Sequence, residues 1–337
     1  MKDICIVTTA SIPWLTGTAI LPLARASALV QRGFSVRLYV PWVESKNAQS
    51  AIFPPGVTFS QPEEQRAYVK KWLEDKHLDA GAELAFYPAK YIAVFRSIYP
   101  SVNLAKFLPE TDLLILEEPE HLFFFQPWNL SKLKAAKICG IVLTNYSYYC
   151  EDLFGKLSFA LTPLYDAYDL FLKRKLPLVI RLSSALKGPE NGVVSNVDGV
   201  LPKFFAPVSE KPEKPSTPFY YIGKFEWYKG FGELTELWTA LPPEISKYPI
   251  DCFGGGSQMK EIIDTCKENG LQINHQPPTL SPEVKLAPYK TFINASVSEG
   301  LCTTSMEALA MGKWLVIPEH PSNEFFYGFS NCLVYRD

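Results

Sequence analysis

Short apolar runs bounded by Gly, Pro and polar turns recur along the chain, and between them lie stretches with apolar residues at three- and four-residue spacing. The first kind has strand length and the second has helical period. Asp3–Thr9 (DICIVTT) reads as a buried strand, Ala19–Arg32 as a helix stopped by Gly33, and Ser35–Val40 as the next strand. Pro62–Lys76 reads as a surface helix after a turn at Pro54-Pro55-Gly56. Asp112–Leu116, Lys137–Leu143, Pro177–Leu182 and Gly192–Ser195 supply further strands.

Ala206–Pro218, rich in Pro and mixed in charge, reads as a loop or linker near a domain boundary. The alternation then restarts. Strands are expected at Phe219–Ile222, Ile250–Phe253, Thr291–Ala295 and Trp314–Ile317. Helices are expected at Phe231–Thr239, Ser257–Glu268 and Thr303–Met311. Near-continuous apolar strands alternating with helices imply parallel sheets covered on both faces. The expected class is α/β, with two facing Rossmann-like domains over 1–200 and 201–337. The carboxyl ends of both sheets would then border a shared cleft, where such sheets bind ligands.

Hydrophobic residues make up 47% and charged residues 20% of the 337, which excludes disorder as the dominant state. With 33 basic against 35 acidic residues, the chain lacks the basic excess of a nucleic-acid binder. The seven Cys include no CxxC pair and the four His stand alone, so reduced thiols and no metal centre are expected. Ile4–Ala24 carries no charge and is long enough to raise a membrane span. Pro13, Gly17, Pro22 and four Thr break it, so it reads as strand, loop and helix. No basic leader or cleavage site marks a signal peptide, and no transit peptide is visible.

Four constellations could carry chemistry. Glu299 and Glu307 stand eight apart, one in a loop after a strand and one on the following helix. Between them, Gly300 admits close approach, and Leu301, Cys302 and Thr303 can turn free N–H groups toward a diphosphate. Glu307 could then bond a ribose and Glu299 sugar hydroxyls; an unrelated surface acid and helix acid would give the same spacing. Upstream, Gly223-Lys224 and Lys229-Gly230 follow a strand, where two ammonium groups could neutralise the diphosphate. Trp14-Leu15-Thr16-Gly17-Thr18 is a glycine loop opening a helix, without the GxGxxG of a nicotinamide-dinucleotide site. Glu117, Glu118, Glu120 and His121 sit at a strand's carboxyl end, suited to sugar hydroxyls or to mutual capping. Beyond them Phe123, Phe124, Phe125 and Trp128 form either core or a site meeting acyl chains or a bilayer.

Together these motifs resemble the family-4 type retaining glycosyltransferases of GT-B fold, and among them the digalactosyldiacylglycerol synthase family. The resemblance is carried by VTTASIPWLTGTA (Val7–Ala19), LEEPEHL (Leu116–Leu122), GIVLTNY (Gly140–Tyr146) and NVDGVLPKFF (Asn196–Phe205). It continues through YIGKFEWYKG (Tyr221–Gly230), CTTSMEALAMGK (Cys302–Lys313) and EHPSNEFF (Glu319–Phe326). It implies transfer of galactose from UDP-galactose to monogalactosyldiacylglycerol with retained configuration, and no required cofactor or metal. It further implies Lys224 and Lys229 on the diphosphate, Glu307 on the ribose and Glu299 on the transferred sugar. Gly17 and Thr18 would lie against the phosphates or the acceptor, and His121 is a catalytic candidate.

By the same resemblance, residues 1–200 form the acceptor and membrane side, where Glu118, Glu120, Phe123, Phe124, Phe125 and Trp128 would act. Residues 201–337 bind the UDP-sugar and stop short of the family's usual C-terminal end. Association with the membrane would be peripheral, helped by Lys173-Arg174-Lys175, at the cytosol-facing outer plastid envelope. In two places the chain departs from the family. Leu143 stands where the family has His before TNY, and Gln126-Pro127 replaces an expected His–Gly pair. Leu cannot donate a hydrogen bond, which leaves open a catalytically weak relative; a transferase with a soluble acceptor is the other alternative.

Overall fold

The run DICIVTT forms the middle of an eight-stranded sheet. The structure, a computed structural model, describes residues 2–146, 155, 158–205, 214–279 and 282–336. Cys150 and residues 206–213 of the expected linker lie outside the described residues. The chain divides into two α/β units, the first Met1–Leu182 with Leu186–Gly199, the second Ser183–Ala185 with Val200–Asp337.

The first unit holds β1 (Asp3–Val7), β2 (Ser35–Val43), β3 (Glu83–Ile92), β4 (Ser97–Pro100), β5 (Thr111–Glu117), β6 (Ala135–Val142), β7 (Leu178–Arg181) and β8 (Val193–Val194). Their order is β4-β3-β2-β1-β5-β6-β7-β8. All neighbours run parallel except β3 and β4, which are antiparallel. Ile4 to Val7 are buried, as a central strand covered on both faces requires. Ile4 sits between Val36 of β2 and Leu113 of β5.

The second unit holds β9 (Phe219–Ile222), β10 (Ile250–Phe253), β11 (Ile273–Gln276), β12 (Thr291–Ile293), β13 (Trp314–Pro318) and β14 (Cys332–Tyr335). They run all parallel in the order β11-β10-β9-β12-β13-β14. Successive residues of β9 point to opposite faces. Tyr221 packs with Phe225, Phe231, Leu234 and Trp238 on one side. Tyr220 stacks on Phe292 and tilts against Tyr289 on the other.

Several elements were not anticipated from sequence. These are β3, β4, β11, β14 and the helix Ser158–Lys173. The strand β11 reads INHQ and is polar because it lies at an edge, half-exposed. The helix contains Pro163 and leaves Phe159, Leu164 and Phe171 exposed, so no clean apolar stripe marks it. The six described cysteines are free, and burial pushes thiols up, Cys5 to about 12 and Cys139 to about 11.

Candidate active site

In each sheet the strand order reverses direction once, between β1 and β5 in the first unit and between β9 and β12 in the second. Ligands of open α/β sheets settle at the carboxyl ends flanking such a point. The residues singled out from sequence cluster there in both units.

In the second unit, the chain leaves β9 through Gly223 and Lys224 and makes a short 3-10 turn over Trp227–Lys229. Gly230 ends that turn at φ 84° and opens the helix Phe231–Ala240. A Cβ on Gly230 would stand 2.4 Å from the Ala295 carbonyl oxygen, so only glycine lets this turn lie against the end of β12. That close approach brings Lys229 to Glu299, with Nζ 2.7 Å from Oε1. Both side chains are mostly shielded, at 14% and 22% exposure. Lys224 is exposed, and its carbonyl accepts a bond from the Tyr221 hydroxyl at 3.2 Å.

The loop from β12 to Glu299 is held by its own polar side chains. Ser296 N donates to Asn294 Oδ1 at 3.1 Å, and Ser298 N donates to Ser296 Oγ at 3.3 Å. The Ser183 hydroxyl donates to the Gly300 carbonyl. Cys302 precedes the helix Thr303–Ala310, which has no side-chain cap and no acid in its first turn. Its positive end is therefore left without a carboxylate of its own. Gly300, Leu301 and Cys302 are buried, and burial raises the Cys302 thiol, with Glu299 adding to the shift. Glu307 lies on this helix, and its close-packed surroundings push its carboxyl up to about 7. Lys203 opposes that rise and Glu283 adds to it. Lys203 Nζ pairs with Glu283 Oε2 at 2.5 Å.

In the first unit, Thr8 and Thr9 follow β1, and the Thr8 hydroxyl donates to the Thr18 carbonyl at 2.6 Å. Gly17 opens the helix Gly17–Gln31, and Thr16 and Thr18 join hydroxyls at 2.9 Å. After β5, Glu118 adopts a left-handed backbone at φ 59° and ψ 62°. This turn sends the following residues back into the protein, and four neighbouring polar side chains take four directions. Glu117 bonds Arg25 Nε at 2.8 Å, and Arg25 reaches on to Asp198 at 3.0 Å. Glu118 accepts from Thr9 Oγ1 at 2.5 Å, from Tyr146 Oη at 3.0 Å and from the Thr144 hydroxyl. Glu120 lies 3.7 Å from Lys173 Nζ, and neither of its oxygens has a hydrogen-bond partner. His121 donates Nε2–H to the Ile98 carbonyl at 2.8 Å and is stacked on Tyr99 and Tyr146.

This arrangement corrects several sequence expectations. Glu118 and Glu120 are each 1% exposed, a placement that fits the capping alternative better than an open cluster facing sugar hydroxyls. Burial lowers the His121 imidazole, and with its Nε2 tied to the Ile98 carbonyl the ring is enclosed and stacked rather than exposed. Phe123 belongs to the core, whereas Phe125 and Trp128 are 49% and 60% exposed. Phe124 is half-buried among the rings of Phe95, Tyr99 and Tyr165. Lys173 is buried, bonding Asp169 at 2.8 Å and the Lys187 carbonyl at 3.0 Å, so it cannot meet headgroups. Leu143 is 8% exposed and packs inside.

Sequence reading missed Arg25, Asp198, Lys203, Glu283 and the hydroxyl partners of Glu118. Their signal was weak because each pair is far apart in sequence. Among the described residues, no group of three His, Cys, Asp or Glu could hold a metal ion. No described helix is long and apolar enough to cross a membrane.

Among known proteins, the chain is 39% identical to digalactosyldiacylglycerol synthase 1, chloroplastic, of Glycine max, over 99% of this chain and 44% of that protein. It is 38% identical to digalactosyldiacylglycerol synthase 2, chloroplastic, of Arabidopsis thaliana, over 100% of this chain and 73% of that protein. It thus spans less than half of the first relative. No protein-family model matches the chain. A variant of S. aureus TarM, solved with fondaparinux, α-GlcNAc-glycerol and UDP, superposes at TM-score 0.66 and 12% identity, covering 100% of this chain and 90% of that one. Sucrose-phosphate synthase from Thermosynechococcus elongatus superposes at TM-score 0.65 and 14% identity, covering 100% and 86%. These likenesses show the fold, that of the GT-B glycosyltransferases. At this identity to the plant synthases along its whole length, the chain belongs to the digalactosyldiacylglycerol synthase family.

Proposed function

We propose that this chain transfers galactose from UDP-galactose to monogalactosyldiacylglycerol, forming digalactosyldiacylglycerol with retained configuration at the anomeric carbon. The observation that carries this reading is the Lys229–Glu299 pair at the β9/β12 switch point, beside a helix start lacking any acid of its own. A diphosphate entering there competes for Lys229 and meets the free amides of the helix end. Lys224 adds a second, exposed cation. Glu299, released from Lys229, orients hydroxyls of the hexose, and Glu307 accepts from the ribose. The bond from the anomeric carbon to the phosphate oxygen breaks as the acceptor oxygen bonds that carbon on the same face. The acceptor's proton passes to a donor phosphate oxygen, and the electron pair of the broken bond leaves with UDP. The cation and the amides stabilise the charge that develops on UDP. Gly17 and Thr18 are assigned to the phosphates or the acceptor.

Exposed Phe125 and Trp128 are assigned to the membrane surface, with Phe124 behind them, at the outer plastid envelope. The reading is tested with labelled UDP-galactose and vesicles holding monogalactosyldiacylglycerol. Labelled digalactolipid with a new α linkage is expected, and UDP-glucose and GDP-mannose serve as competing donors. Absence of product while free sugars are galactosylated would replace the lipid acceptor by a soluble one. Leu143, an apolar side chain before Thr144-Asn145-Tyr146 that cannot donate a hydrogen bond, motivates a second reading, a relative that binds the nucleotide and turns over weakly. Leu143→His raising turnover would support it, and rapid wild-type turnover would remove it.

A further inference from the structure

Ser183–Ala185 belong to the second unit, and two consecutive hydroxyls of this segment fasten neighbouring loops of its sheet. Those loops follow β12 and β13, which pair in parallel, so both leave the carboxyl edge. Ser184 Oγ bonds Glu324 Oε2 at 2.6 Å, with the Pro321 carbonyl 3.3 Å away, both on the 3-10 turn Pro321–Phe326. Ser183 is buried and donates its hydroxyl to the Gly300 carbonyl. The rest of that loop is fixed from within. Before Gly300 it is held by the bonds among Asn294, Ser296 and Ser298. After Gly300 comes the helix Thr303–Ala310, whose Ser305 Oγ takes a bond from Asn294 Nδ2 at 3.3 Å. The Gly300–Leu301 peptide lies between these two anchored stretches, and glycine leaves its rotation open. A trans peptide is planar, with its C=O and N–H on opposite sides. A carbonyl held by Ser183 therefore turns the Leu301 N–H away from Ser183.

We infer that Ser183 is a positioning residue for the diphosphate: by holding the Gly300 carbonyl, it sets the direction of the Leu301 amide, one of the donors offered to a diphosphate at this helix start. This rests on the donor reading above. Ser183 touches no reacting atom and acts through one peptide plane. Without its hydroxyl the buried Gly300 carbonyl loses a donor, and the peptide rotates to recover one, taking the amide with it. A misdirected amide forfeits a charge-assisted bond to phosphate but no bond to the nucleoside. The loss should therefore fall on the phosphates alone.

The test compares UDP with uridine on the full chain, UDP titrated by calorimetry and uridine measured through its competition with UDP. Wild type, Ser183→Ala, Ser183→Cys and Ser184→Ala are used, and circular dichroism verifies that each is folded. In Ser183→Ala, UDP affinity should fall about tenfold, while uridine affinity stays within about twofold. Ser183→Cys, of similar volume but a weaker donor, should fall between Ser183→Ala and wild type. Ser184→Ala leaves the Gly300 bond in place, so the ratio of the two affinities should keep its wild-type value. Equal losses for UDP and uridine in Ser183→Ala would overturn the inference in favour of a structural role. An unchanged ratio in Ser183→Ala, or the same drop in Ser184→Ala, would also overturn it. Wild type binding UDP no better than uridine would remove the diphosphate reading itself, and the inference with it.

Discussion

Replacing Glu118 by Ala removes the acceptor of three hydroxyls at once. Thr9, Thr144 and Tyr146 all donate to this carboxylate, which is 1% exposed. Hydrogen bonds to a charged group contribute about 1.5–3 kcal/mol each, and the recovered desolvation of the carboxylate offsets part of that. The net loss should be about 3–5 kcal/mol, the range for removing one partner from a buried charged network. For a domain of this size that lowers Tm by roughly 10 °C. The backbone adds a second, opposite effect. Glu118 sits at φ 59°, where a Cβ is strained by about 1 kcal/mol or more. Glu118→Gly should therefore be more stable than Glu118→Ala, reversing the usual order of those residues in regular structure. Urea denaturation followed by tryptophan fluorescence and circular dichroism measures both. A loss below about 1 kcal/mol for Glu118→Ala would refute the hydroxyl network. Glu118→Ala exceeding Glu118→Gly in stability would refute the strain.

Gly230→Ala should cost at least about 2 kcal/mol, because a Cβ 2.4 Å from the Ala295 oxygen meets backbone at positive φ; UDP affinity should fall with it, and unchanged affinity would detach the Lys229–Glu299 pair from donor binding. Glu120 has its carboxyl raised by burial from 4.5 to about 8, so its contribution to stability is full below the unfolded value and is lost as pH climbs through about 8. Glu120→Gln should flatten the decline of the urea midpoint between about pH 5 and pH 8, and an unaltered slope would count against it. Phe125→Ser with Trp128→Ser should reduce sedimentation with galactolipid vesicles several-fold without changing Tm by more than about 2 °C, since both side chains are largely exposed. Equal sedimentation would release these two residues from any membrane role.

The central strands were legible because burial on both faces writes an uninterrupted apolar word, as in ICIV and LLIL. Edge strands were not: INHQ in β11 is polar because half of it meets solvent. The Glu299–Glu307 spacing and the lysines after β9 could be read locally, since loop and helix start are adjacent in the chain. The fate of EEPEH could not. Its burial follows from one left-handed residue, and nothing in Glu118 as an amino acid announces that conformation. The partners Arg25, Thr9, Thr144 and Lys173 come from other elements, so only the folded chain says where each of these polar side chains goes. Lys203 was passed over for the same reason, its carboxylate partner lying eighty residues downstream.

Four of the five residues from Glu117 to His121 thus tie the first helix, the loops after β1 and β6, the helix Ser158–Lys173 and the strand β4 to a single knot. Inserting or deleting one residue inside that knot would swap every tether for its neighbour's and misroute all five elements together. Length changes in the turn at Pro54-Pro55-Gly56 would disturb none of these tethers. Evolutionary drift in length should therefore be forgiving there and forbidden at the knot, whatever happens to the identities of the residues.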